Sequence, residues 1–173
     1  TNEVVFEADG RMSATVDHRP TSRGRLMVAH ELGHAVHAMR STGDRPPNAL
    51  VGETVGCTMA LLAGLQLAAT AGDERVAAEL AVGDMVIDEL FVSALVCCFE
   101  DKIQRQVRAG GTLSVELLDD TWLHLHQELF GDVIEVPATI ASHWSRLSSL
   151  AMHPGHAVSY VWATVLGLAV HSE

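Results

Sequence analysis

The sequence predicts a mainly α-helical protein, for reasons of composition, chain length and one histidine-bearing helix. Hydrophobic residues make up 48% of the chain and aromatic residues only 5%. Ala, Val, Leu and Gly dominate, which is typical of closely packed helices rather than of a β-sandwich. A chain of 173 residues is long enough to bury about 70% of its unfolded surface in one core. We therefore expect a single domain over 1–173.

Strands are expected only near the N-terminus. Residues 4–6 and 12–16 flank a turn signal at 8–11, and this pattern predicts a short β-hairpin. The segment 21–24 then supplies Ser and Thr as caps for the first helix. That helix is expected to end near Arg40, before a loop with two consecutive prolines.

Helical patterns account for most of the remaining chain. Gly83 is expected to break or bend one of them, and the last helix is apolar around most of its circumference, so we expect it to be buried. The predicted segments are 49–71, 73–82, 84–109, 114–130, one that starts at Pro137 and carries Trp144, and 156–170.

The first helix carries His30-Glu31-Leu32-Gly33-His34, an HExxH pattern. Residues four apart lie on the same helix face, so both imidazoles can converge on one zinc ion. Glu31 would lie beside the ion and act as the base for a water that zinc activates. The alternative is that a chain with ten histidines has placed two of them at this spacing by chance. Gly33 argues against chance, because a mid-helix Gly costs about 1 kcal/mol relative to Ala unless another backbone packs closely there.

A catalytic zinc usually has three protein ligands and one open position. Two acidic residues are candidates for the third ligand: Asp44, in the loop, and Glu53, near the start of the second helix. We favour Glu53, because a Glu on a helix packed antiparallel to the first completes a His-His-Glu site. Glu53 could instead serve only the dipole of its own helix.

With these residues in place, the chain resembles the oligopeptidase F and thimet oligopeptidase family of zinc metallopeptidases. The run from His30 to His37, followed by Glu53, is similar to the family's catalytic core. Later landmarks occur in the family's order, and the resemblance covers about Ser13 to Ala169. These landmarks are 99–103, 109–114, 130–133, Trp144 and 160–162.

The resemblance implies a zincin-like helical catalytic core that hydrolyses peptide bonds. It implies zinc bound by His30, His34 and Glu53, with Glu31 as the general base. Family members are several hundred residues long and enclose a peptide channel between two halves, whereas this chain corresponds to the catalytic half. Its loop between His34 and Glu53 is also a few residues shorter than is usual in the family.

The family also uses a His and one or more Tyr near the C-terminus to hydrogen-bond the oxyanion of the transition state, a contribution worth several kcal/mol. Tyr160 is the only tyrosine here, and it falls at a family tyrosine position. His153 and His156 stand where further tyrosines are expected. They either replace those tyrosines as donors, or they are a helix start and a solvent-facing side chain.

The net charge indicates which binding partners suit this protein, and the cysteine content indicates which cellular compartment suits it. The net charge of −11 repels nucleic acid and anionic lipid. Three cysteines, two of them adjacent at Cys97 and Cys98, make a poor disulfide framework and favour a reducing cytoplasm. No signal peptide is visible in the sequence. The uncharged stretch 54–72 is interpreted as a core helix rather than a membrane span.

Three functions are compatible with these residues. The leading one is a zinc metallopeptidase that acts on short or unstructured peptides. The second is a reduced family member dedicated to one peptide or metabolite substrate, whose reaction need not be proteolysis. The third is a binding module or one subunit of a two-chain enzyme. A catalytic half alone would leave apolar inner surfaces around 54–69 and the final helix uncovered, so we expect a homo-oligomer or a partner subunit.

Overall fold

The computed structural model describes residues 3–6, 12–16, 19–41, 48–70 and 72–171, and it is mainly helical, as predicted. The elements in chain order are β1 (Glu3–Phe6), β2 (Met12–Thr15), α1 (Ser22–Arg40), α2 (Ala49–Ala68), α3 (Asp73–Val86), a π-helical segment (Ile87–Val92), α4 (Ser93–Arg108), α5 (Val115–Phe130), a 3-10 helix (Ala138–Arg146), α6 (Ser148–Met152) and α7 (Ala157–His171).

The two N-terminal strands pair antiparallel, with Glu3 opposite Thr15 and Phe6 opposite Met12. The predicted turn at 8–11 lies outside the described residues. The hairpin as a whole therefore stays a prediction.

Helices α1 and α2 begin at the polar residues that cap them. The side chain of Thr21 accepts a hydrogen bond from the backbone N–H of Gly24 at 3.1 Å. Asn48 accepts one from the N–H of Val51 at 3.3 Å. Each cap satisfies a backbone donor that the first turn of a helix leaves without a partner.

Close packing of α1 against α2 explains the mid-helix Gly33. A Cβ atom at this position would lie 2.7 Å from the Cα of Gly56 and 2.9 Å from the carbonyl oxygen of Val55. No side chain fits between the two backbones. The prediction that another backbone approaches Gly33 is confirmed.

Several predicted helix boundaries were wrong. Gly83 does not break its helix, because α3 continues to Val86 and is held by the buried Ala78, Ala81 and Met85 on either side of the glycine. That packing outweighs the propensity cost of one glycine, about 1 kcal/mol. The segment after Pro137 is a 3-10 helix rather than an α-helix.

The final helix was expected to be buried, and only part of it is. In α7 the side chains of Ala163 and Thr164 are fully buried, whereas Trp162 is 56% exposed. Val165 and Leu166 are also exposed. The helix therefore has one buried face and one apolar face open to solvent among the described residues.

The chain divides into two compact units, one formed by 1–90 with 159–173 and the other by 91–158. The core of the first unit consists of Leu26, Ala60, Leu61, Ala81 and Met85. The core of the second consists of Leu95, Val96, Phe99, Trp122 and Leu125. The single-domain interpretation stays a prediction.

Within the described residues, Leu50–Ala68 of α2 has the length and apolarity of a membrane span, at 19 residues with a mean hydropathy of 1.4. Core helices of globular proteins meet the same criteria. Only 39% of this stretch is buried, so the helix is not buried on all sides. α2 packs on α1 through Gly56 and carries the buried Glu53, which favours a core helix. The absence of a membrane partner stays a prediction.

Candidate metal site

The structure brings the three favoured zinc ligands together. The Nε2 atoms of His30 and His34, on successive turns of α1, lie 2.9 Å apart. Oε2 of Glu53, from α2, lies 3.3 Å from Nε2 of His30 and 3.5 Å from Nε2 of His34. These three atoms form a nearly equilateral triangle.

Two edges of this triangle fit a tetrahedral zinc ion, whereas the 2.9 Å edge between the imidazoles is shorter than such a site requires. Zinc bonds of 2.0–2.1 Å to nitrogen and oxygen place neighbouring ligand atoms about 3.3 to 3.4 Å apart. Oε2 of Glu53 is buried and accepts no hydrogen bond from the described residues, although it faces both imidazoles. A buried carboxylate oxygen in that position needs a cation or a donor. The donor set therefore suits zinc.

Two glycines of α2 make room for the imidazoles. A Cβ on Gly56 would lie 2.9 Å from Cε1 of His30, and a Cβ on Gly52 would lie 3.4 Å from Nδ1 of His34. Because Gly52 and Gly56 flank Glu53 on either side, they let both rings lie against α2 while Glu53 reaches their Nε2 atoms. Sequence reasoning missed these two residues, and their G-x-x-x-G spacing was the available signal.

Burial and charge at this site favour a cation. His30 and Glu53 are 7% and 8% exposed, whereas the side chain of His34 is 25% exposed. Burial alone would raise the pKa of the Glu53 carboxyl, but its contacts with His30 and His34 hold that pKa at about 2. Glu53 is therefore ionised at neutral pH and carries the negative charge that a divalent ion requires.

Three carboxylates surround His30. Burial would lower the pKa of this imidazole, but Glu53, Glu89 and Glu31 together raise it. Glu31, the predicted base, is itself 8% exposed, and its charge contributes to the raised pKa of His30. A positive charge at His30 is stabilised here, and a metal ion would be stabilised for the same reason.

Tyr160 also lies within the electrostatic reach of the site. Burial raises the pKa of its phenol well above the ordinary value, and the charges of Glu53, Glu89 and Glu31 raise it further. The phenol therefore keeps its proton at neutral pH. A protonated phenol can donate a hydrogen bond to developing negative charge.

The other predicted site residues belong to the second unit or fall outside the described residues. His153 is exposed and His156 is half-buried; their ring centroids are 6.2 Å apart. Both belong to the second unit, whereas the His-His-Glu triad belongs to the first. Their role as donors stays a prediction. Asp44, the alternative third ligand, is not among the described residues.

Sequence reasoning missed two further potential ligands. Cys57 and Glu89, together with His30, form a second group whose potential ligand atoms all lie within 4.8 Å of one another. Cys57 follows Glu53 by four residues on α2, and that spacing was a signal that both lie on one face. Nothing in the local sequence indicated that Glu89, from the π-helical segment, would reach this face.

Comparison of the chain with family models, with curated proteins and with solved structures finds no match. The function is therefore inferred from the geometry of the site and from the motif that forms it.

Proposed function

We propose that this protein is a zinc-dependent peptidase that cleaves short or unstructured peptides, with His30, His34 and Glu53 as the metal ligands. The observation that carries the proposal is the ligand triangle, whose two His–Glu edges of 3.3 and 3.5 Å fit tetrahedral zinc and whose imidazole–imidazole edge is shorter, at 2.9 Å. A buried glutamate directly follows the first ligand, as in HExxH hydrolases. The resemblance to the oligopeptidase F and thimet oligopeptidase family supports the same reaction. A zincin-like core and an N-terminal hairpin belong to this proposal.

When bound, zinc would lower the pKa of a water molecule and polarise the scissile carbonyl. Glu31 takes a proton from the attacking water and returns it to the leaving amine, which must depart as a neutral group. Tyr160 donates a hydrogen bond to the oxygen that becomes negative. His153 and His156 are proposed as further donors.

The test is Glu31→Gln, assayed with a quenched peptide library on the zinc-loaded protein. The amide keeps the shape of the carboxylate but cannot accept a proton, so we expect kcat/KM to fall by about 100- to 10,000-fold with unchanged zinc content. Glu79→Gln, an exposed glutamate of α3, is the matched control and should keep parental activity. Parental turnover by Glu31→Gln would contradict the proposed base, and a parent that cleaves no peptide would contradict the peptidase itself.

Exposed apolar side chains favour a second possibility, a catalytic subunit completed by a second copy or by a partner. On α1, Leu32 is 50% and Val36 47% exposed. Contiguous apolar surface of this kind is rare on soluble monomers beyond a few hundred Å². Sedimentation of the purified chain at micromolar concentration should therefore give a dimer or larger species. A fully active monomer that binds no hydrophobic dye would contradict this and would favour a self-closed protein dedicated to one substrate.

The cellular location of such an enzyme and its class of partner are inferred from its cysteines and its net charge. We propose a cytoplasmic location, because three cysteines without a disulfide framework suit a reducing compartment. The charge of −11 argues against nucleic acid as a partner.

A further inference from the structure

Next to the His-His-Glu triad lies a deeper group of ligating side chains, formed by His30, Cys57 and Glu89. Cys57 is completely buried, and its thiol donates a hydrogen bond to Oε2 of Glu89 at 2.9 Å. On its other side, Sγ lies 4.0 Å from the hydroxyl of the buried Thr164 of α7. Side chains from α1, α2, the π-helical segment and α7 therefore meet in one polar cluster.

The position of this group follows from the packing of α1 against α2. Gly52 of α2 lies beside His34, and Gly56 lies beside His30, so the two helices run antiparallel along this contact. One turn further along α2, Cys57 occupies the same helix face as Glu53. The deeper group therefore lies one helical turn further along the same contact between α1 and α2, and His30 belongs to both groups.

The imidazole of His30 offers two ring nitrogens as potential metal ligands. Its Nε2 faces the triad, whereas its Nδ1 is buried and has no hydrogen-bond partner among the described residues. Leaving a buried polar atom without a partner costs about 1–3 kcal/mol. His30 is only 7% exposed, so this nitrogen calls for a ligand inside the protein. A cavity of about 20 Å³ borders His30 and Glu89, though not Cys57, which is room for one small ion or water beside the group.

We propose that His30, Cys57 and Glu89 form a second metal position, one helical turn beneath the first, for a thiophilic divalent cation such as zinc. A thiolate is a soft ligand that favours zinc, cobalt or cadmium over magnesium or calcium. Binding displaces the thiol proton of Cys57 to solvent. When both positions are filled, the remaining ring proton of His30 is also released and the imidazolate bridges the two ions.

The charges of the two ligand sets assign them different roles. With the triad filled alone, two neutral imidazoles and one carboxylate leave a divalent ion with a net charge of +1, which suits a Lewis acid. One thiolate and one carboxylate neutralise a divalent ion completely, which suits a buried structural ion. The deeper ion would thus fix the orientation of His30 through its second nitrogen, as carboxylate partners do in other zinc sites. This role does not require that the protein cleave peptides.

The test is a cobalt(II) titration of the metal-free full chain, with cobalt content measured by elemental analysis. We expect two cobalt ions per chain and a near-ultraviolet thiolate-to-cobalt charge-transfer band. Cys57→Ser should lose the band and one ion, whereas the matched control Cys97→Ser should keep both. One ion per chain without the band, or a band that survives in Cys57→Ser, would overturn the proposal.

Two further variants keep the result interpretable. If Cys57→Ser does not fold, Glu89→Gln leaves the thiol in place and should weaken cobalt binding at the band-forming position by about tenfold or more; unchanged affinity would overturn the proposal. Glu53→Ala should lose the ion of the triad but keep the band. A parent that shows the band without hydrolysing peptides would reject the proposed function and leave the second metal position standing.

Discussion

Two histidines of this protein are equally buried and yet lie in opposite electrostatic surroundings. His30 in the first unit is 7% exposed, and His126 in the second unit is 6% exposed. The pKa of His30 is raised, because nearby carboxylates outweigh the effect of burial. The pKa of His126 is lowered, chiefly by burial and also by the charge of His143, against an opposing hydrogen bond to the backbone of Trp122. Burial alone therefore does not tell a ligand from a core residue.

The neighbours of His126 show an ordinary core position. Its Nδ1 donates to the carbonyl oxygen of Trp122 at 2.9 Å, and its ring lies between the rings of Trp122 and Phe130 with centroid distances of 4.7 and 6.2 Å. This imidazole packs as a neutral aromatic side chain. His30 instead faces another imidazole and a carboxylate, an arrangement that is stable only with a shared proton or a cation. What surrounds each ring therefore distinguishes a candidate metal ligand from a purely structural histidine.

The largest expected effect is on metal content. Glu53→Ala removes one ligand and the negative charge of the triad, so zinc at this position should be lost at neutral pH. His126→Gln, at the other buried histidine, should keep parental zinc content, as should Asp44→Ala. Elemental analysis after dialysis measures all three variants. Full, tight zinc in Glu53→Ala would remove Glu53 from the triad and make Asp44 the third ligand.

The next effect is on the packing that holds the triad. In Gly33→Ala the new Cβ would lie 2.7 Å from the Cα of Gly56, so α1 and α2 must separate. We expect a loss of about 1–3 kcal/mol in the free energy of unfolding together with weaker zinc binding. Urea denaturation of the metal-free protein and a zinc titration measure the two effects.

The control for that variant is Gly83→Ala on α3. This glycine is helical and has no atom within 4 Å of an added Cβ, so the substitution should stabilise the protein by about 0.5–1 kcal/mol. Equal effects of the two substitutions would show that helix propensity, rather than the approach of α1 to α2, decides the result at Gly33.

The smallest expected effect is the pH dependence of His126. Its folded pKa lies below the unfolded value of about 6.5, so the unfolded chain binds the proton first as the pH falls. The neutral imidazole therefore contributes stability above about pH 6.5, and that contribution is lost on acidification. In His126→Gln the decrease in stability between neutral and mildly acidic pH should be smaller than in the parent.

The measurement is the free energy of unfolding from urea titrations at several pH values. Loss of zinc on acidification affects parent and variant alike and cancels in the difference. His124→Gln, on the exposed side of the same helix, is the control and should follow the parent. Identical pH profiles for parent and His126→Gln would show that the pKa of His126 does not differ between the folded and unfolded states, contrary to what its burial requires.

The sequence was sufficient for the features that depend on local chemistry. Thr21 and Ser114 were identifiable as helix caps because their side chains bond backbone groups three residues away. His30 and His34 were identifiable as a pair because the pitch of a helix fixes their common face. Gly33 was predicted to meet another backbone from the cost of glycine in a helix. Each of these inferences needs only a few consecutive residues.

Tertiary structure decided the features that depend on distant residues. That Glu53 reaches both imidazoles, and that Gly52 and Gly56 make room for them, follows from the antiparallel packing of α2 on α1. The continuation of α3 through Gly83 depended on buried neighbours that outweigh local propensity. Glu89 joined the site because the π-helical segment that carries it packs beside His30. No local pattern encodes such a contact, since its energy comes from the burial of residues that are far apart in the chain.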